Sequence, residues 1–278
     1  MTEALVLGGG GVAGIAWMTG LLTGLADAGR DVSGADLIVG TSAGSTVAAQ
    51  IGSGLSLGEL YVRQTDPAYQ SPEIPVELDL ETFGAQFATA LSSGGSVTDM
   101  RRAIGALALS ASTVPEARRL SVIEARLPSH EWPTRDLAII AVDATTGEPR
   151  AFRNDSGVPL VTAVAASCAV PGIWPPVTIG DHRYVDGGVR SGDNTDYATG
   201  YDRVTVILPL GSVEAFPTDR PFADVVASLR AAGSTVAVIE PDATSLTAIG
   251  TNPLDPETRR PAAEAGRAQG KGLEIVWS

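Results

Sequence analysis

Hydrophobic and polar positions change period several times along the chain, and each change predicts an element. Residues 4–7 are a short apolar run ending in four glycines, Gly8 to Gly11, which reads as a strand followed by a turn. Over residues 15–28, Met18, Leu21, Leu22 and Leu25 recur at helical spacing until Gly29 stops them. A second apolar run, Leu37, Ile38 and Val39, begins after Asp36 and ends at Gly40, and the small residues of 43–51 suit a helix packed closely on a sheet. Two strand–turn–helix units in succession predict a parallel sheet with helices on its faces.

The middle of the chain is patterned differently. Residues 66–79 hold Pro67, Pro72 and Pro75 and predict an extended loop, while 83–91, 97–109 and 115–127 carry helical patterns. This helical insertion, 61–128, precedes the next strand at 137–142 and could form a cap over a cleft. Residues 145–148 read as a turn, 159–169 as a helix of small residues, and 180–183 as a hairpin turn. A short strand at 183–185 runs into Asp186, Gly187 and Gly188. Two buried strands, 204–208 and 235–239, flank a helix at 222–232, and 257–268 predicts a last surface helix. No linker splits the chain, so one domain over 1–278 is expected.

Composition narrows the function classes. The 278 residues carry a net charge of −13, which repels phosphate backbones, excludes nucleic acid as a partner and disfavours docking to anionic lipid through a basic patch. Transient apolar contact with a membrane surface stays open. Cys168 is the single cysteine, so no intramolecular disulfide forms. The start has no basic residues and only a short apolar run, unlike a secretory signal, and no stretch of 18 apolar residues exists. A cytoplasmic protein is the expectation. No cluster of His, Cys and carboxylates has metal-ligand spacing, so neither a metal nor another cofactor is expected.

The strongest chemical signal is Gly40-Thr41-Ser42-Ala43-Gly44, a Gly-x-Ser-x-Gly pentapeptide placed between a buried strand and a helix. That context suits a nucleophile elbow, where a sharp turn lifts the serine hydroxyl clear of the sheet and the helix N-terminus favours negative charge. The glycine run Gly8 to Gly11, closed by Gly14, lets backbone N–H groups face a cleft, where they can bind phosphate or an oxyanion. Gly9-x-Gly11-x-x-Gly14 also fits the dinucleotide fingerprint, but that fingerprint needs an acidic residue at the end of the second strand, and Asp36 lies at its beginning. A serine needs a base. The two histidines, His130 and His182, sit in loop and turn patterns, so the better candidate is Asp186, at the end of a strand and followed by glycines. On the carboxyl edge of the sheet it could meet Ser42.

Taken together, Gly9–Gly14, Gly40–Gly44 and Asp186–Gly188, in that order, resemble the patatin-like phospholipase family, and the stretch 165–172 with Pro175 and Pro176 resembles the segment upstream of that family's aspartate. The resemblance covers roughly residues 4–210. It implies a three-layer α/β/α fold with a mostly parallel central sheet and a Ser42–Asp186 dyad without histidine. It also implies an oxyanion hole from the N–H groups of Gly10 and Gly11, and a lipid or ester substrate. The motif glycines are Gly9, Gly14, Gly40, Gly44, Gly187 and Gly188. The chain departs from the family at Ala13, where a basic residue is usual. A charge that could meet an anionic head group is missing there, which leaves neutral esters and lysolipids more open than charged phospholipids. An acyltransferase on the same fold and a catalytically silent lipid-binding protein are the competing readings. Oligomeric state is not encoded in any motif.

Overall fold

The strand Glu3–Leu7 (β1) sends Leu5 and Leu7 into one apolar core and Ala4 and Val6 into another, as a strand buried on both faces must. That alternation recurs across the sheet of the computed structural model, which describes residues 1–76, 80–92, 94–212 and 216–277. The chain continues with α1 (Gly11–Asp27), β2 (Leu37–Thr41), α2 (Ala43–Ile51), α3 (Leu57–Thr65), α4 (Leu80–Leu91), α5 (Val97–Ser110) and α6 (Glu116–Arg126). Next come β3 (Asp136–Asp143), β4 (Pro149–Phe152), α7 (Leu160–Ser167), β5 (Val177–Ile179) and β6 (His182–Asp186). The last elements are β7 (Arg203–Ile207), α8 (Phe222–Ala231), β8 (Thr235–Ile239), α9 (Ala243–Ile249) and α10 (Arg259–Gly272).

The sheet runs β5-β6-β3-β2-β1-β7-β8, with β4 also paired to β3. The five strands from β3 to β8 are parallel, and β4, β5 and β6 are antiparallel to their neighbours. Helices α1, α2, α7 and α10 cover one face, and α8 packs on the other. The mostly parallel three-layer arrangement expected from the sequence is present.

Several elements differ from the sequence pattern. Helix α1 begins at Gly11, four residues before the periodic stretch, because Gly11 takes a positive φ of 62°. The glycine run therefore supplies the first turn of a helix as well as the loop before it. Short α3, β4, β5 and α9 were not expected; α3 is announced by a capping box in which Ser56 accepts from the Glu59 N–H. Residues 66–76 form the expected loop, and 77–79 lie outside the described residues.

The expected last surface helix is α10, and it is more than a surface element. Its Gly266 lies against the Trp17 carbonyl, while Gly20 of α1 lies against the Ala263 carbonyl, so each helix approaches the other through a glycine. Fourteen of the seventeen residues of α1 are buried as a result. Among the described residues no helix is long and apolar enough to cross a membrane.

Helix α2 is set equally tightly. A Cβ on Gly44 would run into the Leu7 carbonyl of β1. Gly44→Ala is expected to destabilise the protein by about 2 kcal/mol or more, read as a lower urea midpoint; an unchanged midpoint would show that α2 can slide.

Candidate active site

Ser42 is the joint between β2 and α2. Its backbone sits at φ 52° and ψ −115°, a region that costs a residue with a side chain about 1–3 kcal/mol. Among the described residues, Asn194 is the only other non-glycine with positive φ. Hydrogen bonds on both sides of Ser42 hold the strained turn. Its N–H donates to Ser167 Oγ at 2.9 Å, and its carbonyl accepts from Ser45 Oγ at 2.6 Å and from the Cys168 thiol at 3.1 Å. Ser167 and Cys168 end α7, so the small-residue segment 165–172 acts as a brace for the turn.

Asp186 is the last residue of β6. Register explains how it finds Ser42: Thr41 pairs with Ile140, and Asp186 pairs with the next residue of β3, Ala141. Both side chains therefore emerge at the same level of the sheet. The route differs from the one expected, because β6 is antiparallel to β3. Asp186 does not stand on the carboxyl edge of a parallel strand; the β5–β6 hairpin brings it back to that level from the opposite direction. The next residue, Gly187, lies against the Ile140 carbonyl. Beyond it, Asn194 Nδ2 donates to Thr41 Oγ1 at 3.0 Å, tying the segment after Asp186 to the strand that carries Ser42.

The Asp186 carboxyl is buried, 5% exposed. Oδ1 accepts the Gly188 N–H at 2.8 Å, and Oδ2 is buried with no hydrogen-bond partner among the described residues. The Ser42 hydroxyl stands near enough to Asp186 to favour the ionised carboxylate, although the contact is looser than an ordinary hydrogen bond. Such contacts often tighten only when substrate is in place. Burial dominates the acidity: it pushes the carboxyl up to about 6, against the opposing pull of Ser42, the Gly188 N–H and the Arg119 charge.

The glycine loop passes over the serine. A Cβ on Gly9 would lie 3.7 Å from Ser42 Cβ. The Gly8 and Gly9 N–H groups donate to the Ile207 and Gly192 carbonyls, each at 2.9 Å, and the Gly44 N–H donates to the Gly8 carbonyl at 3.1 Å. Gly14 closes the first turn of α1 onto the Gly10 carbonyl at 2.8 Å. The N–H groups of Gly10 and Gly11 have no acceptor among the described residues, and both glycines line the same cleft as Ser42 and Asp186. That cleft has a volume of about 280 Å³, and Ile173, Val189, Leu208, Leu210, Phe216 and Leu254 give it an apolar lining.

Neither histidine reaches the site. His130 is exposed. His182 opens β6 rather than sitting in the turn, and its Nδ1 lies 2.6 Å from Asp143 Oδ2. It stands four residues from Asp186, about 13 Å along an extended strand.

A second cavity, of about 40 Å³, adjoins the cleft, shares Gly11, Ser42, Val170 and Leu254 with it, and is also lined by Arg119, Arg126, Glu73 and Trp174. Glu73 Oε1 accepts from Arg126 Nε at 2.8 Å and from Arg259 Nη2 at 2.6 Å, and Oε2 accepts from Arg126 Nη2 at 2.5 Å. Sequence reasoning missed this charged cluster. A signal for it exists in α6, where Arg119, Val122, Ile123 and Arg126 are all buried at spacing i, i+3, i+4, i+7. Arginines lying on the apolar stripe of a helix ask for a buried role. The Ala13 position is indeed without charge, and Arg119 lines the smaller cavity beside Ser42.

A family model described as patatin-like phospholipase matches residues 5–199. Among solved structures, VipD from Legionella pneumophila is 15% identical, with 97% of this chain and 66% of that one covered at a TM-score of 0.46. The type III effector protein ExoU is 17% identical, with 100% of this chain and 54% of that one covered at a TM-score of 0.35. Full-length ExoU in complex with SpcU, from Pseudomonas aeruginosa, is 15% identical, with 100% and 54% covered at a TM-score of 0.33. The chain thus spans less than two thirds of the length of these proteins. No curated protein matches it significantly in sequence.

Proposed function

The chain belongs to the patatin-like phospholipase family, and from that membership we propose that it is a serine-dependent lipid acyl hydrolase, with Ser42 as nucleophile and Asp186 as base. The observation that carries the reading is the unpartnered, buried Asp186 Oδ2, held at the level of a strained Ser42 in a cleft that two free amides also face.

The reaction has two steps. Asp186 takes the Ser42 hydroxyl proton as Oγ attacks the ester carbonyl, and the Gly10 and Gly11 N–H groups stabilise the tetrahedral oxyanion. Loss of one such donor typically costs about 10²–10³ in rate. The C–O bond to the alcohol then breaks, the alcohol leaves with the proton from Asp186, and the acyl group stays on Ser42. Water, losing its proton to Asp186, attacks the acyl-enzyme, releasing the fatty acid and restoring the serine. The apolar cleft suits the acyl chain. The whole chain, 1–278, acts as one catalytic unit, and the insertion 61–128 contributes Glu73, Arg119 and Arg126 to the smaller cavity beside Ser42. Contact with a lipid surface is transient, through the apolar rim of the cleft. The two-step chemistry of this dyad needs no cofactor, and the cytoplasm is the compartment we infer from the sequence.

A fluorophosphonate probe tests the assignment. Labelling is expected at Ser42, absent in Ser42→Ala, and accompanied by loss of the unlabelled protein's hydrolysis of a short-chain ester. Labelling of a different serine, or none while the protein is folded, overturns it.

A further inference from the structure

Ser42 and Asp186 stand on strands that do not touch. β3 lies between β2 and β6, so no ladder hydrogen bond links the strand of the serine to the strand of the aspartate. Two strand spacings separate those axes, about 10 Å, and register fixes only the level of the two residues. One side chain bridges the gap directly. Asn194 is fully buried, and its Nδ2 donates to Thr41 Oγ1 at 3.0 Å, to the Ser191 carbonyl at 2.8 Å and to the Gly187 carbonyl at 3.4 Å. Thr41 immediately precedes Ser42, and Gly187 immediately follows Asp186.

The amide is itself held in one orientation. Arg190 Nη1 donates to Asn194 Oδ1 at 2.7 Å, so the carbonyl oxygen faces the guanidinium and the NH2 group is left to face Thr41. Arg190 is fixed in turn by a two-pronged pairing with Asp196, Nη1 to Oδ1 at 2.8 Å and Nη2 to Oδ2 at 2.6 Å, and by the Tyr197 ring, whose centre is 5.2 Å from its Cζ. The Asn194 backbone sits at φ 55° and ψ 38°, a left-handed conformation that asparagine takes more readily than most residues. Ser42 and Asn194 are the two non-glycine residues with positive φ among those described, and Asn194 is bonded to the residue next to Ser42. Strain of this kind persists where the surroundings over-determine it.

We propose that Asn194, oriented by Arg190, is a positioning residue for ester hydrolysis: its amide ties β2 to the end of β6 and so sets the reach between the Ser42 hydroxyl and the Asp186 carboxylate. Neither Asn194 nor Arg190 lines the cleft beside Ser42, so both act through other residues and neither meets substrate. The proposal rests on the acyl hydrolase reading above. Loss of the tie lowers turnover and leaves substrate binding alone, because misplacing a reacting group by about 1 Å can cost about 10²-fold in rate.

Three variants separate the tie from packing. Thr41→Val removes the acceptor and keeps the branched shape of a buried strand residue, Thr41→Ser keeps the acceptor, and Asn194→Gly takes the left-handed backbone without the amide. In Thr41→Val and in Asn194→Gly, kcat on a short-chain ester is expected to fall about tenfold or more with KM little changed, while Thr41→Ser stays near the parent. A second readout needs no turnover. The Asp186 titration, followed by carboxyl-carbon NMR, is expected to move above its position of about 6 in Thr41→Val, because the Ser42 hydroxyl no longer supports the ionised form. The other groups that face this carboxyl, the Gly188 N–H, Arg119 from α6 and the Cys168 thiol after α7, are unaltered by the substitution. Should Asn194→Gly not fold, Thr41→Val carries the comparison. Parental kcat together with an unmoved titration in Thr41→Val overturns the positioning role. A Thr41→Ser protein as slow as Thr41→Val overturns it as well, since the effect would then belong to packing. If the parent neither hydrolyses esters nor is labelled at Ser42, the hydrolase reading fails, and the Asp186 titration still judges the tie between the strands.

Discussion

Asp186→Asn is expected to lower ester turnover by about 10³-fold and, at the same time, to raise the melting temperature at pH 8. Both effects come from burial. The carboxyl has almost no exposure through which to share its charge with water, and its pKa is raised from 3.8 to about 6. A carboxyl that titrates higher in the folded state than in the unfolded chain binds more protons when folded between those values. Its contribution to stability is therefore full below about pH 4 and is lost as pH rises through about 6. The gap of about two pH units corresponds to ~3 kcal/mol, carried as a penalty at pH 8. Asparagine keeps the acceptor for the Gly188 N–H and removes the charge. For a chain of this size the gain is about 5 °C in melting temperature, shrinking towards zero near pH 4. The same acidity sets the activity: kcat/KM should fall about tenfold per pH unit below about 6, because only the ionised carboxyl accepts the serine proton. A variant that is inactive and also less stable at pH 8 would show that Asp186 is held by attractive contacts and is no strained base.

Glu73→Ala should be the most damaging single change outside the proposed catalytic pair. It strands Arg126 and Arg259, both more than nine-tenths buried, with no other carboxylate among the described residues bonded to either. Removing one partner of a buried ion pair costs about 3–5 kcal/mol, and here one carboxylate serves two cations. Urea unfolding should show this as a large drop in midpoint with little change in slope. Replacing Glu73 by leucine and both arginines by methionine should recover much of the loss, since apolar residues can fill a site that no longer holds charge. A Glu73→Ala protein within about 1 kcal/mol of the parent would mean that water reaches the cluster and screens it.

Much of this arrangement was legible in the residues themselves. Alternation of the core faces follows from Ala4, Leu5, Val6 and Leu7 all being apolar, which only a strand covered on both sides tolerates. The pentapeptide around Ser42 was readable because its small residues are demanded by local geometry. The direction of β6 was not readable: a three-residue β5 and a tight Gly180–Asp181 turn decide it, and short apolar runs carry no sign of parallel or antiparallel pairing. The start of α1 was hidden because glycines carry no hydrophobic period. The Glu73 cluster draws its members from a loop, α6 and α10, so only folding reveals that the two arginines share a carboxylate. Arg119 and Arg126 could have been flagged from their places on the apolar stripe of α6.

The interlocked glycines of α1 and α10 have a practical corollary for anyone trimming the gene. A version ended near residue 199, where the family model stops, would retain every signature motif and still be crippled. It would bare an α1 that is greasy on nearly all sides, and it would drop the Pro253 carbonyl that accepts the Ala13 N–H. It would also delete Leu254, which lines both cavities beside Ser42, and the Arg259 half of the buried charge cluster. The tail of this polypeptide is built into the walls around Ser42, so motif coverage understates the smallest unit that can fold around them.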